Sequence, residues 1–165
     1  MLKWAEIKHL KEAVRMKITI GSDHGAVELK EEVKMVLHEF EDVRVTDVGT
    51  FGTESVDYPD IAEKVCADVV SGKADRGIVL CGTGIGISIA ANKIDGIRAA
   101  LCGDVYSAIM SRKHNDANVL AMGGRVTGIG PAGEIVRAWV CTEFEGGRHA
   151  RRVDKIMALE QQKDS

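Results

Sequence analysis

Residues 76–93 read Arg76-Gly77-Ile78-Val79-Leu80-Cys81-Gly82-Thr83-Gly84-Ile85-Gly86-Ile87-Ser88-Ile89-Ala90-Ala91-Asn92-Lys93. The apolar run from Gly77 to Cys81 has the length and composition of a buried strand. Three alternating glycines follow it, and the segment from about Ile85 to Lys93 carries the small and aliphatic residues of a short helix. A strand that turns through glycines straight into a helix opens a β–α unit. The fold then depends on whether that unit recurs on either side.

It does. Strands are predicted at Lys17 to Ile20, Val43 to Val48, Ile97 to Cys102 and Val119 to Met122, separated by segments of helical period. Ala26, Leu29, Val33, Val36, Leu37 and Phe40 mark one buried helical face, and Ile61, Val65, Cys66, Val69 and Val70 mark the next. Further helices are expected over Asp104 to Lys113 and Ala132 to Phe144, with a last one around Val153, Ile156 and Met157. Repeated alternation of strand and helix implies parallel pairing through right-handed crossovers. The fold class is therefore α/β: a doubly wound, five-stranded parallel sheet with helices on both faces. Residues 16–165 form a single domain in this reading. Residues 1–15 form an N-terminal extension, where Ile7, Leu10 and Val14 at helical spacing among charges predict a short amphipathic helix.

Composition agrees with one globular domain: 165 residues, 45% hydrophobic, with charges of both signs and a net charge of −3. That balance argues against a generally basic nucleic-acid binder, and no apolar run approaches the ~20 residues of a membrane span. The cysteines Cys66, Cys81, Cys102 and Cys141 form no Cys-x-x-Cys pair, and no signal peptide is recognisable. A reducing, cytoplasmic setting without a local zinc signature is expected. Cys66 and Cys141, in helical segments, and Cys102, at a strand end, read as core residues.

Average usage would give roughly 12 glycines, whereas the chain has 18. In doubly wound sheets ligands bind beyond the carboxyl ends of the strands, and 10 of the glycines fall there, in Gly21 to Gly25, Gly49 to Gly52, Cys81 to Gly86, Cys102 to Asp104 and Gly123 to Arg125. Glycine lets a backbone approach a ligand closely and aim successive N–H groups at it. The turn at Gly82, Gly84, Ile85 and Gly86 would gather such donors at a helix start, around an anion or a developing oxyanion. A dinucleotide-binding turn competes with this reading, since Asp104 lies 20 residues after Gly84, although the third fingerprint position holds Ile87.

Cys81 heads the turn. A thiol of ordinary pKa about 8.5 is lowered at a helix N-terminus and can then serve as base or nucleophile, although a small apolar strand end reads equally well. His24 follows Asp23 after the first strand, and His114 precedes Asn115 and Asp116 before the last. Either histidine suits general acid–base work, and either could be a surface residue. Arg148, Arg151 and Arg152 crowd Gly146 to Arg152. Arg148 and Arg152 are spaced to share a helix face and clamp a phosphate. A solvated helix start or a nucleic-acid contact would leave the same run.

Together Gly-Ser-Asp-His-Gly from Gly21, Asp-Tyr-Pro from Asp57, the stretch Cys81 to Lys93, Arg-Lys-His-Asn-Asp-Ala-Asn-Val-Leu from Arg112 and Glu-Gly-Gly-Arg-His from Glu145 resemble the B-type ribose-5-phosphate isomerases and the related allose- and galactose-6-phosphate isomerases. The resemblance runs from Met16 to about Leu159. It implies a Rossmann-like three-layer sandwich and interconversion of D-ribose 5-phosphate with D-ribulose 5-phosphate through a cis-enediolate, with allose 6-phosphate the nearest alternative substrate. A binding module for nucleotides or phosphosugars, without turnover, is the alternative from another class.

By the same resemblance, Cys81 is the base, Thr83 moves the proton between the two oxygens and His114 opens the sugar ring. Asp23 and Asn115 hold hydroxyls, Tyr58 lines the pocket, and the turn Gly82 to Gly86 forms the oxyanion hole. His24, Arg148 and Arg152 bind the phosphate, with Arg125 near the ligand. No metal or organic cofactor is implied. The implied assembly is a homodimer or a tetramer whose sites take the His114 segment from the partner chain. Members with serine at the cysteine position use a nearby glutamate instead; Ile85 to Ala90 contain none.

Overall fold

The computed structural model describes residues 15–161, so the extension ahead of Arg15 and the helix expected there lie outside the described residues. Strands β1 (Met16–Ser22), β2 (Val43–Asp47), β3 (Arg76–Cys81), β4 (Ala99–Leu101) and β5 (Val119–Gly123) form one parallel sheet in the order β2-β1-β3-β5-β4. Helices α1 (Val27–Leu37), α2 (Tyr58–Val70), α3 (Ile85–Ala91), α4 (Val105–Asn115) and α5 (Ile129–Cys141) each follow a strand or its turn, and α6 (Arg148–Ala158) closes the described chain. The doubly wound class is as expected. Among the described residues no helix is long and apolar enough to cross a membrane.

Strand alternation divides the interior into two layers. Ile18, Ile20, Ile78, Leu80, Leu120 and Met122 face α1, α4 and α5 together with Trp139. Val79, Cys81, Val119 and Ala121 face α2 and α3. The central strands β1, β3 and β5 are covered on both sides, and each fully buried aliphatic side chain contributes about 1.5–3 kcal/mol.

Two glycines set how closely α2 approaches. A Cβ on Gly21 would fall 2.7 Å from Ile61 Cγ2, and one on Gly77 would fall 2.7 Å from Val65 Cγ1. Both are closer than real carbon atoms pack, so the two α2 side chains occupy notches that only glycine leaves open. Below the other layer, two buried guanidiniums approach the Trp139 ring, Arg76 at 5.3 Å and Arg112 at 5.8 Å from its centroid. Arg76 donates to the Trp139 and Val140 carbonyls and Arg112 to the Ala117 and Thr142 carbonyls. Burial, then Arg112 nearby, pushes the Arg76 guanidinium down to about 10.

Several expectations shift, among them the exposure of Val70, expected on a buried face. The helix expected from Ala132 begins at Ile129, because Pro131 falls in its first turn, where the missing N–H is no loss. The fourth strand shortens to Ala99–Leu101, since Asn118 Oδ1 takes the Arg98 N–H. Cys141 is exposed rather than in the core, because it is the last residue of α5, where that helix ends.

Candidate active site at the two ends of the sheet

Asp23, His24, Cys81, the turn 82–86 and Arg125 all emerge at the carboxyl ends of β1, β3 and β5. The register aligns these ends, with Ser22 opposite Leu80 and Cys81 opposite Gly123. Main-chain bonds then stitch the segments together: Asp23 N–H to the Leu80 carbonyl at 3.0 Å, Gly124 N–H to the Cys81 carbonyl at 2.8 Å and Arg125 N–H to the Gly82 carbonyl at 2.9 Å. Asp23 Oδ1 accepts from Gly25 N–H at 2.8 Å and caps the 3-10 turn that carries His24. His24 Nδ1 accepts from Val56 N–H at 3.2 Å, which leaves Nε2 as the donor when the ring is neutral.

Cys81 is 4% exposed, and its sulfur accepts from Gly84 N–H at 3.1 Å. Gly84 reaches this position with a left-handed φ of 78°, and a Cβ there would lie 2.7 Å from the Met122 carbonyl carbon. Opposite it, a Cβ on Gly123 would run into the Thr83 backbone. Thr83 Oγ1 accepts from Ile85 N–H at 3.3 Å. Tyr58 packs over Gly86 so closely that a Cβ would fall 2.7 Å from its ring. Burial pushes the other core thiols up, Cys66 to about 12 and Cys102 to about 11, so neither can supply a thiolate near neutral pH.

His114 and Asn115 end α4, and Arg148 and Arg152 lie on α6. Because α4 returns antiparallel to the strands, they sit at the amino end of the sheet, separated from Cys81 by the strand length of roughly 17 Å at ~3.3 Å per residue. The His114 ring stacks on His149 at 4.1 Å and 10°. The Lys113 ammonium pairs with Glu145 at 3.4 Å, and Glu145 N–H donates to the Lys113 carbonyl at 3.1 Å. Burial, then His114 and Arg148, hold the His149 imidazole below its usual value. A cleft lined by Asn115, Arg98, Asn92, Ile156 and Leu159 opens beside this cluster.

His114, Glu145 and His149 offer ligand atoms within 4.8 Å of one another. Imidazole lone pairs lie in the ring plane, so two parallel stacked rings would have to tilt before both could reach one ion. Lys113 and the arginines nearby also favour an anion.

One chain therefore brings Asp23, His24, Tyr58, Cys81, Thr83, the glycine turn and Arg125 to one end, and His114, Asn115, Arg148 and Arg152 to the other. Two residues passed over in the sequence stand out. His149 was assigned no role, and its stacking depends on α6 packing against α4, which no local spacing reveals. Lys30 did leave a signal: it lies four residues after Ala26 and three before Val33, inside the apolar stripe of α1.

This doubly wound sheet, with a thiol heading a glycine turn, belongs to the ribose/galactose isomerase family, whose profile matches residues 18–156. The chain is 51% identical over 148 residues to ribose-5-phosphate isomerase B of Escherichia coli, covering 90% of this chain and 99% of that protein. It is 47% identical to D-erythrulose-4-phosphate isomerase of Pectobacterium atrosepticum, covering 89% and 97%. The structure of ribose-5-phosphate isomerase B from Clostridium thermocellum superposes with a TM-score of 0.87 at 57% identity, covering 90% of this chain and 99% of that one. The chain is a sugar-phosphate isomerase of the B-type ribose-5-phosphate isomerase group.

Proposed function

We propose that the enzyme interconverts D-ribose 5-phosphate and D-ribulose 5-phosphate, with Cys81 as the base. The observation that carries this reading is the buried Cys81 thiol facing a turn whose Gly84 N–H already donates to its sulfur. In the forward direction the Cys81 thiolate takes the proton from carbon 2 of the open-chain aldose, and the electron pair forms the C1–C2 double bond of a cis-enediolate as the C1=O1 π pair moves onto O1. Main-chain N–H groups of Gly82 to Gly86 stabilise the negative oxygens, a preorganised arrangement that costs no reorganisation during reaction. Thr83 passes the hydroxyl proton between O1 and O2. The Cys81 thiol then returns its proton to carbon 1, giving the ketose. The electron pair left on carbon 2 ends on carbon 1, so carbon 1 is reduced as carbon 2 is oxidised and the balance closes without an external oxidant.

Ring opening falls to His114 and phosphate binding to Arg148 and Arg152, with His24 and Arg125, while Asp23 and Asn115 hold hydroxyls. A pentose phosphate cannot span the sheet, so the working unit in this proposal is a homodimer in which the partner's amino end covers the carboxyl end of the first chain. Exposed Ile85, Ile89 and Leu101 flank the turn and supply the apolar rim such packing needs. The name of the Pectobacterium relative makes a four-carbon substrate the competing choice.

The deciding measurement compares kcat/KM for ribose 5-phosphate, D-erythrulose 4-phosphate and allose 6-phosphate, with Cys81→Ala alongside. Loss of a general base predicts a fall of at least about 10³-fold in kcat. Undiminished turnover by Cys81→Ala would overturn the mechanism, and a higher kcat/KM on another sugar would overturn the substrate.

A further inference from the structure

Lys30 has no solvent exposure and takes no part in the proton transfers above. Its Nζ donates to Asp47 Oδ1 at 2.8 Å and to the Thr50 carbonyl at 2.7 Å, and stands 4.3 Å from the centroid of the Phe51 ring. A methionine would fill the same space without the desolvation cost of an ammonium. What the charge adds is a fixed geometry for its acceptors.

Those acceptors hold the loop that follows β2. Asp47 Oδ1 also accepts from Gly49 N–H at 2.9 Å. The Gly49 carbonyl accepts from Ser22 N–H at 2.7 Å, and Thr50 N–H donates to the Ser22 carbonyl at 2.6 Å. The loop is thus tied to the last residue of β1, directly before Asp23 and His24. Farther along, the same loop supplies the Val56 N–H that donates to His24 Nδ1. It then enters α2 at Tyr58, which packs on Gly86. Burial alone would raise the Asp47 carboxyl, but the hydrogen bonds from Lys30, Lys34 and Gly49 N–H outweigh it and hold it below the ordinary carboxylate range.

We propose that Lys30 is a positioning residue for the substrate site: by gripping Asp47 and Thr50 from beneath, it holds the 48–56 loop so that Val56 fixes the His24 ring with its Nε2–H toward the anionic group of the substrate. The inference rests on the reading of His24 as a phosphate contact. It separates the loop, which carries no cationic side chain of its own, from the ammonium that gives the loop its shape.

The test uses Lys30→Met, which keeps length and burial and removes the charge. Amide exchange at Thr50 and Val56 in the ligand-free protein is expected to quicken at least about tenfold while Ile78 and Leu80 are unchanged, since the opening is local. KM for ribose 5-phosphate should rise about tenfold with kcat within about threefold, as a smaller competent fraction requires. Unchanged exchange at Thr50 and Val56, or a uniform acceleration across the sheet, would overturn the inference. Local acceleration with an unmoved KM upholds the loop grip and instead counts against His24 as the phosphate contact. Should Lys30→Met fail to fold, Lys30→Met/Asp47→Leu replaces the ion pair with an apolar one, an exchange that often leaves stability intact. The positioning role predicts that this variant keeps the raised KM, whereas a wild-type KM would mean that Lys30 serves stability alone.

Discussion

The two ends of the sheet are built from different materials. Around Cys81, at the carboxyl end, the donors are main-chain N–H groups, the glycines leave room for them, and the thiol is held by one of those same groups, with His24 and Arg125 as the side chains beside them. At the amino end the groups are side chains, two histidine rings and a run of arginines on the last turns of α4 and along α6. In the proposed mechanism the difference matches two kinds of charge. A charge that exists only during reaction is best met by dipoles that cannot move away, because they need no reorganisation as it appears. A phosphate is charged throughout and is met by long cationic forks that can close on it.

Mixing two disabled chains would give the largest effect. If each working site joins one chain's carboxyl end to the other's amino end, Cys81→Ala and His114→Gln homodimers are both inactive. Their co-refolded mixture should recover about a quarter of wild-type turnover, because half the dimers are mixed and each contains one whole site. No recovery would mean that the two ends do not serve a shared site.

Gly84→Ala tests the main-chain end alone. The added Cβ meets the Met122 carbonyl carbon at 2.7 Å and must adopt a φ of 78°. Moving that N–H is expected to lower kcat about 10²-fold and stability by about 1–3 kcal/mol, with KM changed far less. A proportional rise in KM would instead mark the turn as a ground-state binding element.

The smallest effect concerns the amino end. His149 is held below its usual value, so the unfolded chain takes up a proton before the folded one. Stability should decline as pH falls from about 6.5 toward the folded value. Thermal melting of His149→Gln between pH 7 and 5 should lose that slope, and an unchanged slope would assign it to another group.

The sheet and most helices were legible because the chain repeats its periods faithfully. Ile18, Ile20, Ile78 and Leu80 alternate with residues of the opposite face, and α1 carries its stripe in single file. The turn 82–86 was legible for a similar reason, since its glycines answer to local backbone geometry. Distant pairings were not. Nothing near Arg76 or Trp139 in sequence announces that two guanidiniums approach the indole, and the His114–His149 stack joins helices formed far apart along the chain. Lys30 was passed over for the opposite reason: its position in the apolar stripe is plain in the sequence, but its acceptors Asp47 and Thr50 lie 17 and 20 residues further on.

The notches at Gly21 and Gly77 bear on how such an enzyme can change its substrate over evolutionary time. With Ile61 and Val65 seated in them, α2 can neither slide nor roll, so its first residue keeps Tyr58 over Gly86 whatever happens on the surface. If Tyr58 lines the sugar pocket, as proposed, a lineage shifting from a shorter to a longer sugar has little freedom to widen it by moving this helix. Adaptation would have to be discrete, by exchange of the Tyr58 side chain or of residues on the 48–56 loop, with the scaffold behind them acting as a fixed ruler.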